Sequence, residues 1–65
     1  MDLNTKVAVV TGAGQGIGRA IAKRLAKAQA QVILLDIRLD AIESVAEEIC
    51  SHGGSAKPIK IDVTD

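Results

Sequence analysis

The chain is 65 residues long, room for one small domain near the lower limit of what folds around a single hydrophobic core. Eight basic residues balance eight acidic ones and there is no Phe, Tyr or Trp. That excludes the electrostatic footprint of nucleic-acid or anionic-membrane binding, and base stacking on aromatic rings.

The opening, Met1 to Lys6, lacks the basic start and apolar run of a signal peptide. No apolar stretch approaches the roughly 20 residues that cross a bilayer. With Cys50 as the one cysteine, no internal disulfide can form, so a reducing, cytoplasmic setting is expected.

Val7-Ala8-Val9-Val10 is a continuous apolar run of the kind found in strands covered on both faces. Thr11 to Gly18 follows as a glycine-dense loop. Ile17, Ala20, Ile21, Leu25 and Ala28 then recur at helical spacing, predicting a core-facing stripe, with Arg19, Lys23, Arg24 and Lys27 on a solvated face. Val32-Ile33-Leu34-Leu35 is a second buried run, ending at Asp36. A second helix is predicted from the stripe Ile42, Val45, Ala46, Ile49 and Cys50, with Cys50 expected in the core. Asp40 and Glu43 have the spacing of a capping box, and Gly53-Gly54 supply the stop. His52 falls near that helix end, where a cationic ring suits the dipole. A third strand, about Ala56 to Ile61, contains Pro58 and therefore belongs at a sheet edge.

The order β-α-β-α-β with connections of this length implies parallel strands and right-handed crossovers. The predicted fold class is α/β: the Rossmann-type βαβαβ half of a doubly wound parallel sheet, strand order 3-2-1. Residues 1–65 read as one dinucleotide-binding half-domain.

Where a buried strand feeds a helix, the free N–H groups of the first helical turn and the positive end of the dipole make a phosphate site. Gly12 is expected at the tight turn, Gly16 where a pyrophosphate approaches, and Gly18 where the helix packs closely on the strand. The spacing fits neither G-x-G-x-x-G nor a Walker loop. It does fit T-G-x-x-x-G-x-G, as Thr11-Gly12-Ala13-Gly14-Gln15-Gly16-Ile17-Gly18. Asp36 ends the second strand, where its carboxylate can accept from both adenosine ribose hydroxyls and repel a 2′-phosphate.

On the octet, on Asp36 and on Asp62-Val63 at the end of the third strand, the chain resembles the classical short-chain dehydrogenases/reductases. The resemblance implies an oxidoreductase that exchanges hydride between an alcohol/ketone pair and a nicotinamide cofactor. NAD is preferred over NADP, because the positions where NADP-preferring relatives carry a base are the neutral Gln15 and Ile37; Arg38 is the one nearby cation. The cofactor-binding residues so implied are Gly12, Gly14, Gln15, Gly16, Ile17, Gly18, Asp36, Ile37, Asp62 and Val63, with Asp62-Val63 against the adenine. Relatives usually carry Gly where Gln29 stands, so Gln29 must take left-handed geometry or end its helix differently.

The family's Asn-Ala-Gly segment, catalytic Ser and Tyr-x-x-x-Lys pair have no counterpart, so no catalytic and no metal-binding residue is expected, and these 65 residues alone are expected to be inactive. The half-domain is thus expected to be truncated relative to the family. Its expected partners are the dinucleotide and, for uncovered strand faces, either a complementary C-terminal half or a second copy, with no nucleic acid and no membrane. Two alternatives stand beside this reading. One is a non-catalytic nucleotide-binding or interaction module. The other is a segment of an S-adenosylmethionine methyltransferase, whose alternating-glycine loop would need an acid where Val10 stands.

Overall fold

The structure, a computed structural model, describes residues 5–62. The elements in chain order are β1 (Val7–Thr11), α1 (Gly16–Lys27), β2 (Gln31–Asp36), α2 (Leu39–Ser51) and β3 (Ser55–Lys60). The strands form one sheet in the order β1-β2-β3, all parallel, with Val10 opposite Leu34 and Leu34 opposite Pro58. This is the predicted βαβαβ half, with Pro58 on an edge strand.

Strand side chains alternate between faces, and burial shows which face the helices cover. Val10, Val32 and Leu34 are buried with Ala22 and Ala26 of α1 and Ile42, Val45, Ala46 and Ile49 of α2. Fully burying a side chain such as Leu34 or Ile42 contributes roughly 1.5–3 kcal/mol, so this one interlayer holds most of the fold. The opposite face is open: Val7 is 62% exposed and Val9 60%.

Two expectations about the helices need correcting. The core row of α1 is Ala22 and Ala26, with Leu25 half-buried, whereas Ile17 and Ile21 are exposed. Small residues face the sheet because the helix starts in contact with it: a Cβ on Gly18 would lie 2.2 Å from the Gly12 carbonyl oxygen. Cys50 is exposed, not a core residue. It lies with Glu43, Glu47 and Pro58 along a shallow groove at the β3 edge, where no further strand covers that flank of α2 among the described residues.

The helix ends also differ in part. α2 begins two residues earlier than a capping box on Asp40 requires. Its N-cap is Arg38, without a side-chain cap, and Asp40 stands within the first turn, where its charge still suits the dipole. Arg24 and Lys27 are exposed as expected, and Lys23 and Arg19, with side chains 41% and 43% exposed, are also paired. Both reach Glu48 of α2, at 2.5 and 2.6 Å, clamping the two helices together. Such a partly exposed cluster is worth about 0–1 kcal/mol per pair.

The helix stops follow one design. In α2 the Gly53 and Gly54 N–H groups donate to the carbonyls of Cys50 and Ile49; in α1 those of Gln29 and Ala30 donate to Ala26 and Leu25. This is the Schellman arrangement, and it puts Gln29 at φ +75, the left-handed alternative expected for it. No helix among the described residues is long and apolar enough to cross a membrane.

Candidate functional site

The carboxyl ends of the three parallel strands, Thr11, Asp36 and Lys60, lie along one edge, where ligands of open α/β sheets bind. The glycine loop leaves β1 there. It turns at Gly12, φ +62, and is tied to the neighbouring strand by a bond from the Ala13 N–H to the Leu35 carbonyl at 3.3 Å. Ala13 is fully buried beneath it.

Three glycines have three different surroundings. Gly18 is pressed on the backbone of Gly12 and Thr11, so no side chain fits there. Gly14 faces Ala41 and the Asp36 carboxylate, each 2.8 Å from where a Cβ would stand. Gly16, at φ +64, has nothing within 4 Å of that point. It opens α1, whose first N–H groups have no partners within the helix. Gly16 therefore fronts an open cradle of backbone donors, and a phosphate fits it.

Asp36 is fixed by the backbone at both oxygens. Its Oδ2 accepts from the Gly14 N–H at 3.0 Å and its Oδ1 from the Arg38 N–H at 3.1 Å. An ionised carboxylate offers about four acceptor positions, more than these two bonds occupy, and the Ile37 backbone adds to the pull on it. The Arg38 and Gly14 backbone bonds, with the Arg38 charge in a smaller role, hold its carboxyl below the usual carboxylate range. The main chain of Asp36 is anchored too, since its carbonyl accepts from the Ile61 N–H at 3.0 Å.

Of the residues expected in the site, Gly12, Gly14, Gln15, Gly16, Ile17 and Gly18 form the loop and helix start, and Asp36 and Ile37 adjoin it. Ile17 and Ile37 are apolar and exposed, at 79% and 57%. Asp62 follows the anchored Ile61 at the same edge and is exposed. Val63 lies outside the described residues. The structure adds Arg38, whose Nη1 donates to Gln15 Oε1 at 3.3 Å, and Ala41, which packs on Gly14. Only the proximity of Arg38 to the acid signalled the first; nothing in the sequence signals the second.

Val10, where an alternating-glycine methyltransferase loop would carry its acid, is a buried strand residue. Among the described residues no group of three or more His, Cys, Asp or Glu could hold a metal ion.

The family model described as short chain dehydrogenase matches residues 6–65. The 1-deoxy-11-beta-hydroxypentalenate dehydrogenase of Streptomyces avermitilis is 43% identical over 65 residues, all of this chain and 24% of that protein. A metagenomic short-chain oxidoreductase solved in complex with NADP superposes with a TM-score of 0.91 at 41% identity, over 94% of this chain and 28% of the other. A protein assigned as a D-mannonate oxidoreductase from Haemophilus influenza, solved with bound NAD, gives 0.90 at 40% identity, over 95% and 22%. The chain spans about a quarter or less of the length of the curated relatives it matches.

Proposed function

The chain belongs to the short-chain dehydrogenase family, and from that premise we propose that its 65 residues are the NAD-binding half-domain of an oxidoreductase acting on an alcohol/ketone pair. The observation that carries the reading is the open, side-chain-free face of Gly16 at the start of α1, one hydrogen bond away from Asp36 through Gly14.

In this reading the N–H groups of Gly16, Ile17 and Gly18 receive the pyrophosphate. Gly12 turns the chain away from it, and Gly14 and Gln15 carry the loop between. Asp36 accepts from the ribose hydroxyls, while Ile37 offers apolar surface to the adenosine and Asp62 borders the adenine; Val63, read with Asp62 from the sequence, lies outside the described residues. The bound nicotinamide supplies the hydride acceptor or donor. These residues bind and orient it; none is a tyrosine, and none takes a proton-transfer role. The choice of NAD follows from the charge of Asp36 beside the neutral Gln15 and Ile37. Relatives solved with NADP and with NAD support a dinucleotide without deciding between the two. A reducing, cytoplasmic setting fits the exposed, unpaired thiol of Cys50.

The test is calorimetric titration of the full-length chain with NADH and with S-adenosylmethionine. Saturable NADH binding is expected. A folded chain that ignores NADH, or prefers S-adenosylmethionine, would overturn the reading.

A further inference from the structure

We propose that Ala41 is a positioning residue for the glycine loop: its methyl group, in the first turn of α2, sets how closely Gly14 approaches Asp36. With that it sets the span between the phosphate cradle and the acid. The inference rests on the dinucleotide reading above and deepens it.

Position 14 is a glycine for want of room. Gly14 is not among the residues in the left-handed region, so its backbone suits any side chain. Its surroundings do not. A Cβ there would stand 2.8 Å from the Ala41 Cβ and 2.8 Å from Asp36 Oδ2, well inside the separation of packed atoms. The loop therefore rests on Ala41 at one side and on the carboxylate at the other.

Neither support can withdraw, because Arg38 ties both. Its N–H holds Asp36 Oδ1 at 3.1 Å, and its carbonyl accepts from the Ala41 N–H at 3.1 Å. The next residue, Ile42, is fully buried in the core. The loop is anchored one residue before Gly14, where the Ala13 N–H bonds to the Leu35 carbonyl. What remains free to shift is Gly14 itself, whose N–H reaches Asp36 Oδ2 at 3.0 Å.

A larger side chain at position 41 can only lift Gly14 outward. A lift of about 0.5 Å takes its bond to Asp36 to the edge of the hydrogen-bond range. Gly16 follows two residues later, so the cradle shifts with it. A nucleotide spanning cradle and acid registers the change, although Ala41 acts through Gly14.

The experiment measures three quantities on the full-length chain: the NADH Kd by calorimetry, the titration of the Asp36 carboxyl by carbon-13 NMR, and Tm. Ala41→Val, stiff at its branched carbon, should raise the NADH Kd about tenfold, as expected for losing a hydrogen bond to a charged group. The Asp36 carboxyl, held down by the Arg38 and Gly14 backbone bonds, should titrate higher as the second is lost. Ala41→Ser should move both quantities less. Gly14→Ala should also weaken NADH, and adding Ala41→Gly should restore part of the loss, since contacting positions couple. A lowered Tm in Ala41→Val with Kd and titration unmoved overturns the role and leaves Ala41 a packing residue. So does a Gly14→Ala defect that Ala41→Gly leaves whole. Should Ala41→Val fail to fold, Ala41→Ser and the Gly14→Ala pair decide. Absence of NADH binding by the unmodified chain overturns the dinucleotide reading, and the Asp36 titration still tests the hold of Ala41 on the loop.

Discussion

The Asp36 carboxylate accepts a hydrogen bond from the backbone N–H of Gly14, 22 residues earlier, at 3.0 Å. One bond thus joins the two parts of the candidate site, so Asp36, the proposed ribose acceptor, also holds the glycine loop in place. Replacing Asp36→Ala together with Ile37→Arg should reverse the preference from NADH to NADPH. It should weaken NADH roughly tenfold or more, since a charged acceptor to two hydroxyls is lost. Paired titrations check this. Unaltered discrimination in the double variant would mean the ribose is read elsewhere.

Acid sensitivity follows from two carboxylates. Hydrogen bonds from Lys23 and Arg19 hold Glu48 below its usual range, and Asp36 is lowered by its backbone bonds. A carboxylate depressed in the fold contributes stability that is complete above its unfolded value and lost as pH falls through the folded one. These two groups should therefore give the full-length chain their whole, pH-independent stabilisation between pH 7 and about 5, and that contribution should drop away below about pH 4. Glu48→Gln and Asp36→Asn should each flatten the acid limb. An unchanged limb in both variants would assign the sensitivity to other groups.

Gly16 and Gly18, two residues apart, should fail in opposite ways. Gly18→Ala drives a Cβ into the Gly12 carbonyl, 2.2 Å away, and should cost about 1–3 kcal/mol of stability as an overpacked contact. At Gly16 the first side-chain carbon of Val has nothing within 4 Å beyond its chain neighbours. Gly16→Val carries a left-handed strain of roughly 1–2 kcal/mol and should abolish nucleotide binding in a chain that still folds. Melting curves and titrations on both variants separate the effects, and full binding by folded Gly16→Val would move the phosphates off this loop.

Gln29 holds a left-handed conformation that glycine adopts freely, at φ +75. Gln29→Gly should raise stability by about 0.5–1 kcal/mol, the relieved strain outweighing the entropy glycine adds to the unfolded chain. The expected rise in Tm is a few degrees, and a lowered Tm would mean that the Gln29 side chain makes a compensating contact.

A polypeptide confined to these 65 residues should associate. Val7 and Val9 stand exposed on the open sheet face, with Ile59 39% exposed, and among the described residues β1 is an edge with no strand on its outer side. Apolar surface beside an open edge recruits partners. Sedimentation should show concentration-dependent oligomers, or melting should lack a sharp transition. A monodisperse, cooperatively folding monomer would contradict this.

The strands, their order and the glycine loop were legible because each rests on a local signal: continuous apolar runs, a left-handed turn, a helix start. Cys50 and the α1 stripe were misread because helical spacing ranks residues by apolarity. Here contact distance decides, and a helix seated against backbone at Gly18 needs alanines beneath it, so Ile17 and Ile21 are turned outward. The Asp40 cap failed for a related reason. Asp36 takes the Arg38 N–H, and α2 starts where that bond leaves the chain. The bonds from Asp36 to Gly14 and from Arg38 to Gln15 join distant residues whose meeting depends on the tertiary fold.

Because β2 is hydrogen-bonded on both sides, its amides belong to the unit that opens last, while the glycine loop hangs from the sheet by the Ala13–Leu35 bond and the Asp36 carboxylate. Hydrogen-exchange protection tracks such opening free energies, so the acid and the phosphate cradle belong to different exchange classes. A ligand spanning both spends its ordering entropy almost wholly on the loop. In the proposed reading the acid that meets the ribose is preorganised by the sheet, and the cradle is completed by what it would hold.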